Sequence, residues 1–405
     1  MKVAIIGGGA AGFFSAFSVK EHHPNAEVII FEKTDKLLSK VKISGGGRCN
    51  VTHACFQVSQ LSKSYPRGSR QLKKAFHQFQ PKDTVAWFSK RGVVLKTESD
   101  GRMFPVTDDS QTIIDCFLFE ARSKNIQIHK KAPIEKLNKE TSGYTLHLRD
   151  SQYFFDKVII ATGGSHKNSG FDWLRELGHS IISPIPSLFT FNMPKESVKE
   201  LMGLVVQEAT VRIQGTKLEY KGPVLMTHWG MSGPAILKLS AWGARFLHEK
   251  NYQFQVQINW LSVKSESQAH EILNTSFGKA PKKKISNLNP FNLPNRMWYY
   301  LLDKADIEMD ILWLDLSNKN KNKLINTLLN DIYAVSGKTT FKEEFVTCGG
   351  LSLDDINFKT LQSNVCNGLY FAGEVMDIDG ITGGFNFQAA WTTGFIAGKL
   401  ESNSE

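Results

Sequence analysis

The hydrophobic pattern opens with a short apolar run from Lys2 to Ile6, a helix-compatible stretch from Ala10 to Lys20 and a second apolar run from Glu27 to Phe31. Short apolar runs bounded by glycine read as buried strands and the longer stretch as a helix, so the chain begins with a β-α-β unit. Helical spacing returns in Ser69 to Phe79 and Lys82 to Lys90, followed by short alternating strands around Val93 to Thr97, Ile126 to His129 and Tyr144 to Leu148. Another buried strand, Asp156 to Ile160, runs into Ala161-Thr162-Gly163-Gly164. From Pro186 to Leu261 the spacing becomes strand-like, as in Val205 to Ile213 and Phe254 to Ile258, which predicts a β-rich insert. Lysine- and asparagine-rich sequence then carries helix-like segments, His270 to Phe277, Pro294 to Leu302 and Lys321 to Ile332. The stretch Gly368 to Leu400 returns to strand, glycine loop and helix. The predicted architecture is α/β, with a Rossmann-type domain built from both chain ends (1–186 and 336–405), a β-rich unit over 187–261 and a helical insert over 262–335.

The residues from Gly7 to Gly12 spell GxGxxG directly after a strand and at the head of a helix, the context that gives this pattern weight. Gly7 permits the tight turn, Gly9 lets backbone approach a pyrophosphate, and Gly12 lets helix and strand pack. With Ala10 and Ala11, the helix N-terminus supplies N–H groups and partial positive charge to that pyrophosphate. Glu32, 20 residues beyond Gly12, is placed to accept hydrogen bonds from both ribose hydroxyls and would repel a 2′-phosphate. Lys33 and Lys40 are further candidate cofactor contacts.

One such loop does not separate NAD from FAD, and two other segments speak for FAD. Ala161, Thr162, Gly163 and Gly164 form a small-residue turn of the kind that packs beside an adenosine half. Gly373 and Glu374 lead through Asp377 and Asp379 to Gly383, Gly384, Phe385 and Asn386 at the start of a second helix. Glu374 suits ribityl hydroxyls, and a helix dipole at the pyrimidine edge would stabilise reduced flavin. Asp377 and Asp379 suit turn hydrogen bonds that order this loop.

Composition narrows the picture further. A length of 405 residues predicts two or three packed units, and 41% hydrophobic with 22% charged residues excludes a disordered chain. Five scattered cysteines without CxxC or metal-type spacing argue against a disulfide scaffold or metal site and for reduced thiols in a cytoplasmic enzyme. Three glycines interrupt the apolar N-terminus, and no apolar run reaches the roughly 18 residues that span a bilayer. The net charge of +10 is concentrated: Lys36 to Arg91 holds 12 basic residues against one acid, Asp83, and the rest of the chain sums to −1. A solubility surplus would be spread out, whereas a polyanion track beside an active site is local, so ribosomal RNA becomes a candidate partner.

The strings Ile43 to Thr52 (ISGGGRCNVT), Gly101 to Pro105 (GRMFP), Thr227 to Pro234 (THWGMSGP), Thr347 to Gly350 (TCGG) and Asp379 to Gln388 (DGITGGFNFQ) extend the picture across the chain. With them the chain resembles the BaiN/RdsA family of NAD(P)H/FAD-dependent oxidoreductases. The resemblance implies a Rossmann-type FAD domain with a β-barrel insert and a helical insert. It implies tight FAD, transient NAD(P)H, and hydride transfer to an electron-poor C=C. Members are connected with bile-acid-type enone reduction and with dihydrouridine formation in large-subunit ribosomal RNA. Relatives usually carry asparagine where this chain has His53, which leaves that position's role open.

Reducing a conjugated C=C takes a hydride from flavin N5, a donor for developing negative charge and an acid for the neighbouring carbon. Gly46 and Gly47 offer backbone N–H groups, Arg48 a positive charge, and Asn50 a neighbouring amide. Cys49 is the first candidate acid, because thiol acidity suits protonation of a carbanion-like carbon. His228, between Thr227 and Trp229, is the alternative acid or a donor to the substrate carbonyl. No second GxGxxG occurs, so NAD(P)H is expected to share the flavin face with the substrate in alternating half-reactions. Three readings stay open: a reductase acting on uridine in ribosomal RNA, a small-molecule enone reductase, and a flavin-containing RNA-binding factor without turnover.

Overall fold

A computed structural model describes residues 1–261, 263, 265–339 and 346–401. The chain forms two compact units, Met1–Ser187 with Phe341–Glu405, and Leu188–Thr340. Parts of the predicted 262–335 and 336–405 segments, namely 262, 264, 340–345 and 402–405, lie outside the described residues.

In the first unit β1 (Lys2–Ile6) pairs in parallel with β2 (Glu27–Phe31) on one side and Lys157–Ile160 on the other. Gln127–His129 extends the sheet beyond β2, and Leu369–Phe371, from the far end of the chain, lies parallel to Lys157–Ile160. Both chain ends therefore build one sheet, as predicted. Val3, Ala4 and Ile5 are fully buried, which is why β1 reads as a continuous apolar run and not an alternating one.

The helix α1 (Ala10–His22) is buried from Ala11 through Val19, covered by the sheet and by the C-terminal helix Phe385–Gly398. Gly394 and Gly398, one turn apart, let the two helices touch: a Cβ on Gly398 would lie 2.5 Å from the Ser15 carbonyl oxygen. Ser18 Oγ donates to the Phe395 carbonyl across this contact at 2.6 Å. Around α1, Phe14, Trp87, Phe117 and Trp391 pack ring on ring with centroids 4.9–6.4 Å apart, and burial of each such side chain stabilises by about 1.5–3 kcal/mol. Phe117 lies on the helix Gln111–Ser123, which the hydrophobic pattern does not predict. Glu120 sits buried on that helix, paired with Arg91 at 2.7 Å, and a buried charge blurs the apolar stripe.

The second unit holds a seven-stranded sheet in the order Asp331–Ser336, Gln253–Asn259, Val205–Ile213, Glu219–Thr227, Gly230–Ser232, Thr190–Asn192, Lys338–Thr339. Its two edge strands are consecutive in the chain and meet at Gly337. That residue donates to Tyr252 on one side and accepts from Asn192 on the other, so the sheet closes as a barrel. Three departures from the sequence reading have physical causes. The helix predicted to Ile332 stops at Leu329, because Asp331 and Ile332 pair with the strand Gln253–Asn259. The helix Pro234–Trp242 lies within the segment expected to be β-rich and starts at a proline in its first turn. The barrel strands and the helices Glu266–Lys279, Asn295–Lys304 and Asn318–Leu329 share one core containing Trp260, Trp298, Trp313 and Tyr333, so 187–261 and 262–335 do not form separate units.

Candidate functional site

Gly7 closes the turn between β1 and α1 at φ +118°, with its N–H on the Phe31 carbonyl at 2.8 Å. Gly12 packs so tightly on Gly7 that a Cβ would lie 1.9 Å from the Gly7 carbonyl oxygen. Among the described residues no side chain caps α1, so the N–H groups of Ala10, Ala11 and Gly12 at its head point out of the helix without a side-chain cap. Glu32 follows β2 and accepts from the Gly8 N–H at 2.9 Å and from the Thr34 N–H and hydroxyl at 2.9 and 2.8 Å. Lys33 beside it is exposed. Ala161 donates to the Ile6 carbonyl at 2.8 Å and its own carbonyl covers Gly7, which brings Ala161, Thr162, Gly163 and Gly164 alongside the first loop.

The second glycine loop joins the first through Gly373, which packs on Ala11 and donates to Thr393 Oγ1 at 2.9 Å. Glu374 accepts from Lys40 Nζ at 2.7 Å and from the Thr347 N–H at 2.8 Å, so two candidate cofactor contacts are ion-paired with each other. Asn386 binds the Gly380 N–H and carbonyl at 2.8 and 3.0 Å, closing the loop 380–386 on itself. The segment carrying the SGGGRCN string lies against this loop. The Asn50 amide accepts from the Gly384 N–H at 2.9 Å and donates to the Thr52 carbonyl at 3.0 Å. Thr52 Oγ1 reaches Gln388 Oε1 at 2.6 Å, and Trp391 Nε1 donates to the Val51 carbonyl at 2.9 Å.

Asp379 is wholly buried, with its carboxylate held by the Arg67 guanidinium and by Ser187 Oγ at 2.7 Å. It holds the loop through this ion pair, where turn hydrogen bonds had been expected. Asp377 accepts from the Gly349 N–H at 2.8 Å. Arg67 and Ser187 carry no motif, and sequence reasoning missed them as parts of this site. Arg48 is likewise matched by acids within its own unit, Glu98 at 2.6 Å and Asp108 at 3.4 Å, and lies 4.0 Å above the Phe104 ring. Those carboxylates hold the Arg48 guanidinium above its ordinary range and Lys96 together with Arg48 holds Asp108 below its own. Cys49 is fully buried at φ +61°, and burial pushes its thiol up to about 12. His228 is an exposed residue of the second unit, on the turn between Glu219–Thr227 and Gly230–Ser232, against Trp229.

Of the 12 basic residues from Lys36 to Arg91, Lys40, Arg48, Arg67 and Arg91 are thus engaged in ion pairs. Lys63, Arg70, Lys73, Lys74, Lys82 and Lys90 are exposed. The helix Ser69–Ala75 begins just after Arg67, and Gly68 packs directly on Ile378, so its basic residues are fastened to the second glycine loop.

Residues 1–400 match the family described as HI0933-like protein Rossmann domain. The chain belongs to this family. It is 26% identical over 98% of each chain to the 3-dehydro-bile acid delta(4,6)-reductase of Clostridium scindens. It is 28% identical to the ribosomal RNA dihydrouridine synthase of Escherichia coli, over 98% of this chain and 96% of that one. The open conformation of a flavocytochrome c3 fumarate reductase shares the fold, with TM-score 0.51 at 15% identity over 98% of this chain and 77% of that one. As an HI0933-like protein the chain is a Rossmann-type FAD-binding oxidoreductase. No helix among the described residues is long and apolar enough to cross a membrane.

The residues present fit FAD. The positions where Gly9, Gly46, Gly47 and Gly163 lack a Cβ have no described atom within 4 Å, so these stretches of backbone are open to a ligand. Among the described residues Thr347 Oγ1 is buried without a hydrogen-bond partner, beside Gly164 and the Glu374 carboxylate. An unmade hydrogen bond of this kind is costly, and a cofactor hydroxyl or phosphate would satisfy it. Thr347→Val is expected to weaken FAD about tenfold while leaving the apoprotein as stable or slightly more so, read by fluorescence titration and thermal melting. Unchanged FAD affinity would remove Thr347 from the site.

Proposed function

We propose that this protein reduces the C5=C6 bond of uridine in large-subunit ribosomal RNA, taking its electrons from NAD(P)H. FAD, when bound, carries the hydride from the nicotinamide to the substrate carbon. One hydride and one proton add across the double bond, giving dihydrouridine and NAD(P)+. The observation that carries this reading is the exposed basic set Lys63, Arg70, Lys73 and Lys74 on the segment fastened to the second glycine loop. Such a set suits the phosphate backbone of a large polyanion. The named activity of the Escherichia coli relative is consistent with it.

The first loop, with Gly9, Ala10, Ala11 and Gly12, would hold the pyrophosphate, Glu32 the adenosine ribose, and Glu374 with Lys40 and Thr347 the ribityl region. Gly46 and Gly47 would present backbone to the isoalloxazine, with Gly383, Gly384 and Phe385 at its far edge.

Mass spectrometry of ribosomal RNA from a deletion strain tests the reading: one dihydrouridine is expected to disappear, and unchanged content would overturn it. Changing Lys63, Arg70, Lys73 and Lys74 together to glutamine is expected to lower the slope of log affinity against log salt by about 3, at about 0.7–0.9 per phosphate contact. Flavin content should be unaffected. Arg67 stays out of this set, because its charge holds Asp379. The match to the Clostridium scindens enzyme favours a second reading, reduction of a free conjugated enone. Fast, salt-insensitive turnover of steroid-type enones with unchanged ribosomal RNA would favour it.

A further inference from the structure

His53 lies where the SGGGRCN segment meets the second glycine loop, and its imidazole touches that loop in two ways. Nδ1 is 3.0 Å from the Gly383 carbonyl oxygen. A carbonyl only accepts, so Nδ1 carries the hydrogen and donates it. The ring face also stacks on Phe385, centroid to centroid 4.6 Å with planes 27° apart. From behind, Gly101 backs the ring so closely that a Cβ there would lie 2.6 Å from Nε2, and Thr52–His53 is pinned to Arg102–Met103 by strand pairing.

Gly383, Gly384 and Phe385 are the last two loop residues and the first residue of the C-terminal helix, whose cap residue Gly384 has no side chain. Side chains from elsewhere hold this first turn: Asn50 on the Gly384 N–H, Tyr65 on the Phe385 carbonyl at 2.7 Å, and His53 on both Gly383 and Phe385. We infer that His53 is a positioning residue for the flavin, fixing the head of this helix and thereby the N–H groups and partial positive charge that stabilise reduced isoalloxazine. The inference rests on the FAD reading of this site.

Two substitutions separate the polar contact from the stack. His53→Asn keeps an N–H donor two bonds beyond Cβ, where Nδ1 stands, and loses the ring. His53→Phe keeps the ring and loses the donor. Apoprotein of each is titrated with FAD, the midpoint potential of the bound flavin is measured, and the apo forms are melted. In His53→Phe, oxidised FAD is expected to bind about tenfold more weakly, the size of one net hydrogen bond. Reduced FAD should lose a further factor of about ten, lowering the two-electron potential by about 30 mV. His53→Asn should stay within about threefold of the parent in affinity. His53→Leu, which also removes the donor, takes the place of His53→Phe should that variant fail to fold.

Wild-type affinity and potential in the donor-less variant would overturn the role of His53. So would equal losses in His53→Asn and His53→Phe that simply track a fall in melting temperature. A parent protein that takes up no FAD would instead overturn the site reading on which the inference stands.

Discussion

Replacing Asp379 with alanine is expected to cost about 3–5 kcal/mol of stability at neutral pH and to strip FAD from the protein. Asp379 is wholly buried and the Arg67 side chain is only 13% exposed, so removing the carboxylate leaves a guanidinium with little water to replace it. Ser187 Oγ loses its acceptor at the same time. Urea unfolding and the absorbance of bound flavin report the two effects; a loss below about 1 kcal/mol with full flavin content would show that the pair does not hold the loop. Arg67→Met with Asp379→Leu should recover most of the stability, since well-packed apolar residues replace a buried ion pair at little cost.

The same carboxyl gives a pH dependence of defined sign. Burial pushes Asp379 up to about 6, against the pull of Arg67 and the Ser187 hydroxyl. The folded state then binds this proton more tightly than the unfolded chain. The contribution is fully present below about pH 3 and is lost as pH rises through 6. The stability of the parent relative to Asp379→Asn is expected to fall by about 3 kcal/mol between pH 3 and pH 7, and a flat difference would place the carboxyl in its ordinary range. This does not conflict with the alanine result: the pH effect compares a charged with a neutral carboxyl, whereas alanine removes the group that answers Arg67.

The parts of this protein legible in the sequence are those where one residue type alone satisfies a local constraint. Gly7 sits at φ +118°, and a Cβ on Gly384 would strike the Thr52 carbonyl at 2.5 Å, so both loops announce themselves by glycine. The β-α-β start is legible because its elements are buried on all sides. What the sequence hides is pairing across distance. Lys40 and Glu374 stand 334 positions apart and Arg67 and Asp379 stand 312 apart, and neither spacing carries a periodic signal. For the same reason the basic run from Lys36 to Arg91 reads as one polyanion track, although Arg48, Arg67 and Arg91 answer acids of their own unit. The shared core of barrel and helices in the second unit is equally non-local, since each segment shows only its own period.

Cys49→Ala is expected to keep kcat within about threefold, whereas His228→Asn lowers it by a factor of 10²–10⁴. A general acid works best when its pKa lies near the operating pH, and burial pushes the Cys49 thiol to about 12. A fully buried sulfur also has no exposed surface to offer a substrate. Its place at φ +61°, between Arg48 and Asn50, suits a small side chain that lets the SGGGRCN turn close on Asn50 and Gly384. His228, the other candidate donor in the sequence, is exposed, and its variant tests whether it supplies the proton. Single-turnover oxidation of prereduced enzyme by substrate isolates the step. With His228→Asn the rate of flavin reoxidation should drop while the rate of its reduction by NAD(P)H stays at the parent value. A variant that raises KM with kcat unchanged would make His228 a binding group, and a collapse of kcat in Cys49→Ala with FAD still bound would return the proton to the thiol.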